Sequence, residues 1–441
     1  MKRNFGKRLL FIVLFFSLTI ASQAQYLTNS SQGGSLLNSD SAFKAGVPNS
    51  GRIWGYIFGD YFHKAHADSL NRGGNNQYTG VKKDIDQFQF RRIYLGYDYN
   101  ISKKFMAEVL LAAEDDFTAP TQGTGDLLAN NKFVPYIKLA NVRWRDFLFK
   151  GNDLIVGMQP TPAFPYVSEN IFTYSRPIER TVTDIRRTPS YDFGAGIQGR
   201  FNSADKSTAW GYDFLVANGT GDKPQALNVQ TYKWWYGDAF VAFLNRRLVV
   251  DYYQDYNRQA WTTGTHGHAY RAMSKVVVSW VDKKFTLGVE AFTNKLGQAE
   301  VGTERTGGIK DTLDGTSQAI SFYGHVNLIS TKLRFWARYD IYNPNKKYDN
   351  TTYSSYKSLY GLSTSYEPNN KEGFLSTGLD FSPAPNIHFM PNIWYNHYSS
   401  QLAGVSGRAA KDYDLVYRLT FYFTFGKLFA NPTYSYYPYN R

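Results

Sequence analysis

Apolar side chains recur at every second position in segment after segment of this chain, and the connections between those segments alternate between long and short. The last segment is the clearest: Leu415, Tyr417, Leu419, Phe421, Phe423 and Phe425 fall on one face, and Val416, Arg418, Thr420, Tyr422 and Thr424 on the other. Six apolar residues at period two cannot share one side of a helix, but they do share one face of a strand. The same split puts Leu333, Phe335, Ala337, Tyr339 and Ile341 opposite Arg334, Trp336, Arg338, Asp340 and Tyr342. Ile320, Phe322, Gly324, Val326 and Leu328 oppose Ser321, Tyr323, His325 and Asn327, and Ile93, Leu95, Tyr97 and Tyr99 oppose Arg92, Tyr94, Gly96 and Asp98. Pro135 and Pro391 interrupt two of about sixteen such segments, and Val276-Val277-Val278 breaks the alternation in a third.

Tight joins fall at 101–103, 245–247, 282–284, 329–332 and 382–386, with slightly longer ones at 146–152 and 203–208. Between them lie long polar stretches at 63–87, 115–133, 161–191, 219–232, 258–270, 295–316, 344–371 and 399–412. Strict alternation of the two kinds leaves both chain ends on one side. The pattern predicts an all-β fold, a closed antiparallel transmembrane β-barrel of about sixteen strands with short periplasmic turns and long extracellular loops.

The leading segment fits an exported protein. Lys2, Arg3, Lys7 and Arg8 precede an apolar run from Leu9 to Leu18, and Ser22-Gln23-Ala24 offers small residues for cleavage, so residues 1–24 are expected to be a signal peptide. That run is too short for a confident spanning helix, and no other segment approaches ~18 apolar residues. Residues 25–50 are expected to be an N-terminal periplasmic tail, 51–426 the barrel and 427–441 a C-terminal tail. The expected location is the bacterial outer membrane. The chain has no cysteine, which removes disulfides and cysteine metal sites. Four positive charges belong to the leader, so the formal +13 falls to about +9 without it. A basic exported barrel points to small anionic or neutral solutes and to outer-membrane lipid and lipopolysaccharide as partners, and away from nucleic acid.

Two stretches carry a family likeness. One is Phe88-Gln89-Phe90-Arg91-Arg92-Ile93-Tyr94-Leu95-Gly96-Tyr97, followed by Phe105. The other runs through Val156-Gly157-Met158-Gln159-Pro160, Glu169, Tyr174-Ser175-Arg176, Ile178-Glu179-Arg180 and Asp192-Phe193-Gly194, and Pro385 to Asn392 adds support. Together they resemble the phosphate-selective porin O and P family, in its Bacteroidetes-type branch. The resemblance is strongest over about residues 50–220. It implies a sixteen-stranded homotrimeric porin that passes small solutes passively, often preferring anions, with arginines along the channel.

The third long connection, 161–191, sits where general porins fold a loop inward. It carries Glu169, Arg176, Glu179, Arg180, Asp184, Arg186 and Arg187. Opposed acidic and basic rows across a watery constriction create a transverse field that selects solutes by charge. Equally, Glu179 and the arginines pair with one another and merely anchor the loop. Arg92, Arg334, Arg338 and Arg418 face inward and form either a basic pore wall or, with Asp98, Glu108, Asp251, Glu290, Asp340 and Asp380, internal salt bridges. Trp234, Trp235, Tyr236, Tyr252, Tyr253 and Tyr256 suit either a sugar-stacking path or a membrane girdle. No catalytic constellation is expected. His63, His66, His266 and His268 lie in expected external loops with no metal-ligand spacing, so neither metal nor cofactor is expected. His325 and His388 lack a positioned nucleophile. A passive diffusion porin is the first reading. The alternative is a non-transporting barrel with an adhesive or structural role.

Overall fold

Each alternating segment forms a strand, since only a pleated ribbon can send its apolar set to lipid and its polar set inward. The computed structural model describes residues 47–73, 78–114, 135–164, 171–172, 174, 177–186, 189–219, 232–258, 269–329, 332–358, 370–384, 386–400 and 406–429. The strands are β1 Ser50–His66, β2 Asp86–Asn100, β3 Phe105–Glu114, β4 Tyr136–Trp144, β5 Asn152–Pro160 and β6 Tyr191–Asn202. They continue with β7 Ala209–Ala217, β8 Trp234–Phe243, β9 Leu248–Arg258, β10 Tyr270–Val281, β11 Phe285–Glu304 and β12 Lys310–Ile329. The last are β13 Leu333–Asn343, β14 Tyr353–Ser358, β15 Asn370–Ala384, β16 Ile387–Ser400 and β17 Lys411–Phe429. All but β14 form one antiparallel ring. Each pairs with the next, β13 passes to β15, and β17 returns to β1 from Gly51↔Phe429 to His66↔Leu415. A closed ring of sixteen has no free edge and satisfies the backbone across a membrane.

The outward face is apolar and exposed, as at Leu95, Val142, Val156, Phe322, Phe335 and Leu419, while most of the residues between are buried. Such a band fits lipid, and the barrel belongs to the outer membrane. The triple valine alternates after all: Val276 and Val278 are exposed and Val277 is buried. Pro391 faces outward, and the β15–β16 pairing breaks beside it, between Gly378↔Asn392 and Phe381↔Phe389. The residue without an N–H leaves a gap in that ladder with the register unchanged, and it still pairs with Leu419 of β17.

Three expected boundaries are corrected. The sixth connection, 295–316, is largely strand: after a register shift at Leu296/Glu300, β11 and β12 pair on to Thr303↔Lys310. The short β14 then pairs with Glu300–Glu304 of β11, making a three-stranded leaf. β17 runs to Phe429, three residues into the expected tail, because Gly51 to Ile53 supply partners that far. β1 likewise reaches His66, so His63 and His66 are strand residues and His66 stacks on Tyr413 at 3.9 Å. Residues 1–46 and His266 and His268 lie outside the described residues.

Inside the ring, the third connection packs as a core. Phe164 and Val182 join Leu215, Trp234, Met273 and Phe292. Ile171, Phe172, Tyr174 and Ile178 join Val249, Val277, Tyr323 and Trp336. Its apolar side is thereby sealed against the β7–β13 arc of the wall.

Candidate functional site

Two β-bulges shape the wall opposite that seal. On β2, Phe58 of β1 pairs with Arg92 and Gly59 with Phe90, so Arg91 is the extra residue. On β4, Leu110 of β3 pairs with Leu139 and Leu111 with Ile137, so Lys138 is extra. At a bulge two residues oppose one, and neighbours that would otherwise point apart turn to one face. Arg91 and Arg92 therefore both lie over the inward Phe58 ring, at 5.0 and 5.6 Å. Lys138 sits over the inward rings of Tyr94 and Tyr191, at 5.2 and 5.0 Å. Between them β3 presents Glu114, which accepts hydrogen bonds from Lys138 Nζ and the Tyr94 hydroxyl and stands 3.7 Å from Arg92.

The third connection is held by its backbone. Arg91 donates to the Pro177 and Ile178 carbonyls, the latter at 3.2 Å, and Arg418 donates to Ile178 O at 3.0 Å. Arg338 donates to the Glu179 and Arg180 carbonyls at 2.9 and 2.6 Å. The Glu179 carboxylate accepts from Trp394 Nε1 at 3.0 Å and from the Arg180 N–H at 3.0 Å. Each clamping arginine has its own compensation: Asp60 beside Arg91, Asp340 on the Arg338 fork, and Asn392 Oδ1 2.7 Å from Arg418 Nε. These groups are dry, with side-chain exposures of 5% or less for Arg91, Asp60, Arg338, Asp340 and Glu179. Three guanidiniums converge on four consecutive residues because arginine offers several donors in a rigid fork, enough for a carboxylate and a carbonyl at once.

Helix α1, Val182–Arg186, sets the other side of the gap. Val182, Thr183 and Arg186 are buried toward the seal: Thr183 donates to Glu290, and Arg186 pairs with Glu372 and lies over Tyr342 at 4.4 Å. Asp184 is only half-buried and accepts from Ser190 Oγ at 2.8 Å. Water reaches a specific subset of these interior charges. Arg92, Glu114 and Arg180 are 21%, 25% and 30% exposed, and Lys138 only 8%. The partly exposed set carries both signs, with Arg92 and Glu114 on β2 and β3 and Arg180 and Asp184 on the third connection.

The sequence-derived residues divide accordingly. Glu169, Arg176 and Arg187 lie outside the described residues. Glu179 and Arg186 are buried and bonded, whereas Arg180 and Asp184 are only half-buried. Of the expected wall arginines, Arg92 borders the gap, and Arg338 and Arg418 hold the loop. Arg334 is half-buried, in register with Asp380 and beside Tyr174. Asp380 also accepts from the Tyr174 hydroxyl and meets His388 Nδ1 at 2.9 Å. Sequence reasoning missed Lys138 and Glu114 entirely, and reached Arg91 only through the family resemblance, not among the wall arginines read from periodicity. The doubled inward residue has no period-two signature, and the adjacent arginines were the one hint of a bulge.

Elsewhere several interior charges pair off: Arg52 with Asp98, Arg143 with Asp153 at 2.9 Å, Arg271 with Asp255 at 3.5 Å and Lys275 with Asp251 at 3.7 Å. The aromatic group splits by face, with Trp234, Tyr236 and Tyr253 buried inward and Trp235, Tyr252 and Tyr256 exposed outward. Among the described residues no cluster of His, Cys, Asp and Glu has the arrangement of a metal site.

No protein-family model matches the chain, and no curated relative does. Solved structures do. The outer-membrane channel DcaP of Acinetobacter baumannii is similar with a TM-score of 0.52 at 11% identity, covering 86% of this chain and 98% of that one. OmpF of Salmonella typhi, solved with daunomycin, is similar with a TM-score of 0.51 at 11% identity, over 86% and 98% of the two chains. At that identity the likeness shows the fold of outer-membrane porins.

Proposed function

From the porin fold and the mixed-charge gap inside it, we propose that this barrel is a passive diffusion channel for small hydrophilic solutes. Its constriction lies between the third loop and the β2–β4 wall. The observation that carries the reading is the pattern of solvent access: Arg92, Glu114 and Arg180 are reached by water while the loop's other side is packed dry against β7–β13. Solutes crossing the gap meet Arg92, Lys138 and Arg180 against Glu114 and Asp184. One surplus positive charge in a low-dielectric passage gives a modest anion preference. Phosphate, with several acceptor oxygens, suits paired cationic donors best among small anions. The likeness of the Arg91-Arg92 stretch to the phosphate-selective porins points the same way, and a homotrimer is the assembly that likeness implies.

The test is single-channel conductance of the refolded protein in a planar bilayer under a salt gradient, followed by phosphate. Steps with an anion-biased reversal potential support the channel, and saturation by phosphate supports the narrower preference. A second reading, a non-transporting adhesive or structural barrel, has the depth of interior packing on its side: Trp54, Trp336 and Trp394 are all at most 1% exposed. A folded barrel that never conducts would establish that reading instead.

A further inference from the structure

The first external loop enters the lumen and ends on the same wall node that holds the third. Tyr78, in that loop, is fully buried and has φ 64, a left-handed backbone that a bulky aromatic residue rarely adopts. Conformations of this kind persist only where surrounding contacts over-determine them. Three contact chains do so, and all end on Ile178 or Glu179. The hydroxyl donates to Asp60 Oδ2 at 2.6 Å, Asp60 pairs with Arg91 at 2.5 Å, and Arg91 donates to Ile178 O. The ring lies under the Arg418 guanidinium at 5.5 Å, and Arg418 donates to the same carbonyl. The ring also meets Trp394 edge-on at 5.7 Å, and the Trp394 indole donates to the Glu179 carboxylate. On its outer side, Tyr78 O accepts from Lys64 Nζ at 2.9 Å, and Lys64 pairs with Asp414 beside the eighth loop.

We propose that Tyr78 is a positioning residue of the constriction: through Asp60, Arg418 and Trp394 it sets where residues 177–180 lie in the lumen, coupling the first external loop to the third. This rests on the reading of that loop as the constriction. Asp60 shares its oxygens among Tyr78, Thr420 and Arg91, so a change at the tyrosine is felt at the arginine that grips the loop. Displacement of the first loop from outside, by whatever binds it, would then alter the passage without touching it.

The chain has no cysteine, so a single engineered thiol reports cleanly. Arg180→Cys is made in the full chain alone and together with Tyr78→Phe, which deletes only the hydroxyl. Alkylation by a small water-soluble thiol reagent is then timed on barrels that show normal heat-modifiable migration. Losing a buried hydrogen bond to a carboxylate should speed alkylation by roughly tenfold. In a bilayer the Tyr78→Phe channel should dwell longer in a second, larger conductance level. Tyr236→Phe removes a similar buried bond, to Asp192 at 2.8 Å, in the packing cluster of Val182 and not in that of Ile178, and should leave the rate unchanged. Trp394→Phe cuts another of the three chains and should act like Tyr78→Phe, so the question stays answerable if one variant does not fold. Equal alkylation rates with and without the Tyr78 hydroxyl would overturn the proposal, as would an equal acceleration by Tyr236→Phe. Absence of conductance in the parent barrel would remove the channel reading alone, because the alkylation result does not depend on it.

Discussion

At the scale of single residues, burial separates charges that hold from charges that face solute. Arg338 is dry and bonded to Asp340 and to two loop carbonyls. Arg338→Met should therefore destabilise the barrel by about 3–5 kcal/mol, because Asp340 is left buried and unpaired. Urea unfolding followed by migration would measure it, and the further change Asp340→Asn should recover part of the loss, the sign of direct coupling. Arg92 and Arg180 are the opposite case. Arg92→Gln with Arg180→Gln should lower anion over cation permeability while leaving that stability nearly unaltered, since partly exposed ion pairs contribute roughly 0–1 kcal/mol. An unchanged reversal potential would exclude them from selection.

At the scale of elements, irregularities in the strands do more than the strands themselves to place the site. The bulges on β2 and β4 add one basic side chain each to the lumen without adding a strand. Deleting Arg91 would join Phe58↔Arg92 and Gly59↔Phe90 in a plain ladder with Phe88 and Phe90 still outward, so a heat-modifiable barrel should still form while the grip of Arg91 on the Pro177 and Ile178 carbonyls is lost. Beyond the rim, the leaf formed by β11, β12 and β14 contains a buried carboxyl, Glu300. Burial pushes its pKa up to about 7 against the opposing hydrogen bond from Asn345 Nδ2 at 2.7 Å. A raised carboxyl favours the protonated folded leaf. Its stabilisation is full below the ordinary glutamate range and is lost as pH rises through about 7. The protection of residues 300–313 against hydrogen exchange, taken relative to the intrinsic rate at each pH, should thus fall between pH 5 and 8 in the native chain and hold steady in Glu300→Gln.

At the scale of the whole molecule, the barrel is a solvent boundary with lipid outside and a packed, charged interior. Leu419 is exposed on the outer face midway along β17, so Leu419→Arg should cost about 2–4 kcal/mol near the bilayer midplane and prevent stable insertion. Normal migration of that variant would mean the outward phase is reversed. The phase, the strand number and the order of long and short connections were legible in the sequence because they depend on neighbours along the chain. Val416, Arg418 and Thr420 face inward merely because Tyr417 and Leu419 must face lipid. The site was legible only in part. Whether Arg91 joins Arg92 in the lumen depends on β1 offering one residue for two, which is a property of a pair of strands. Whether Arg418 faces solute or grips Ile178 depends on where a loop more than two hundred residues away comes to rest. Periodicity is local and survives in a one-dimensional string, whereas register, bulging and loop docking are settled only when distant segments compete for the same hydrogen bonds and the same dry volume.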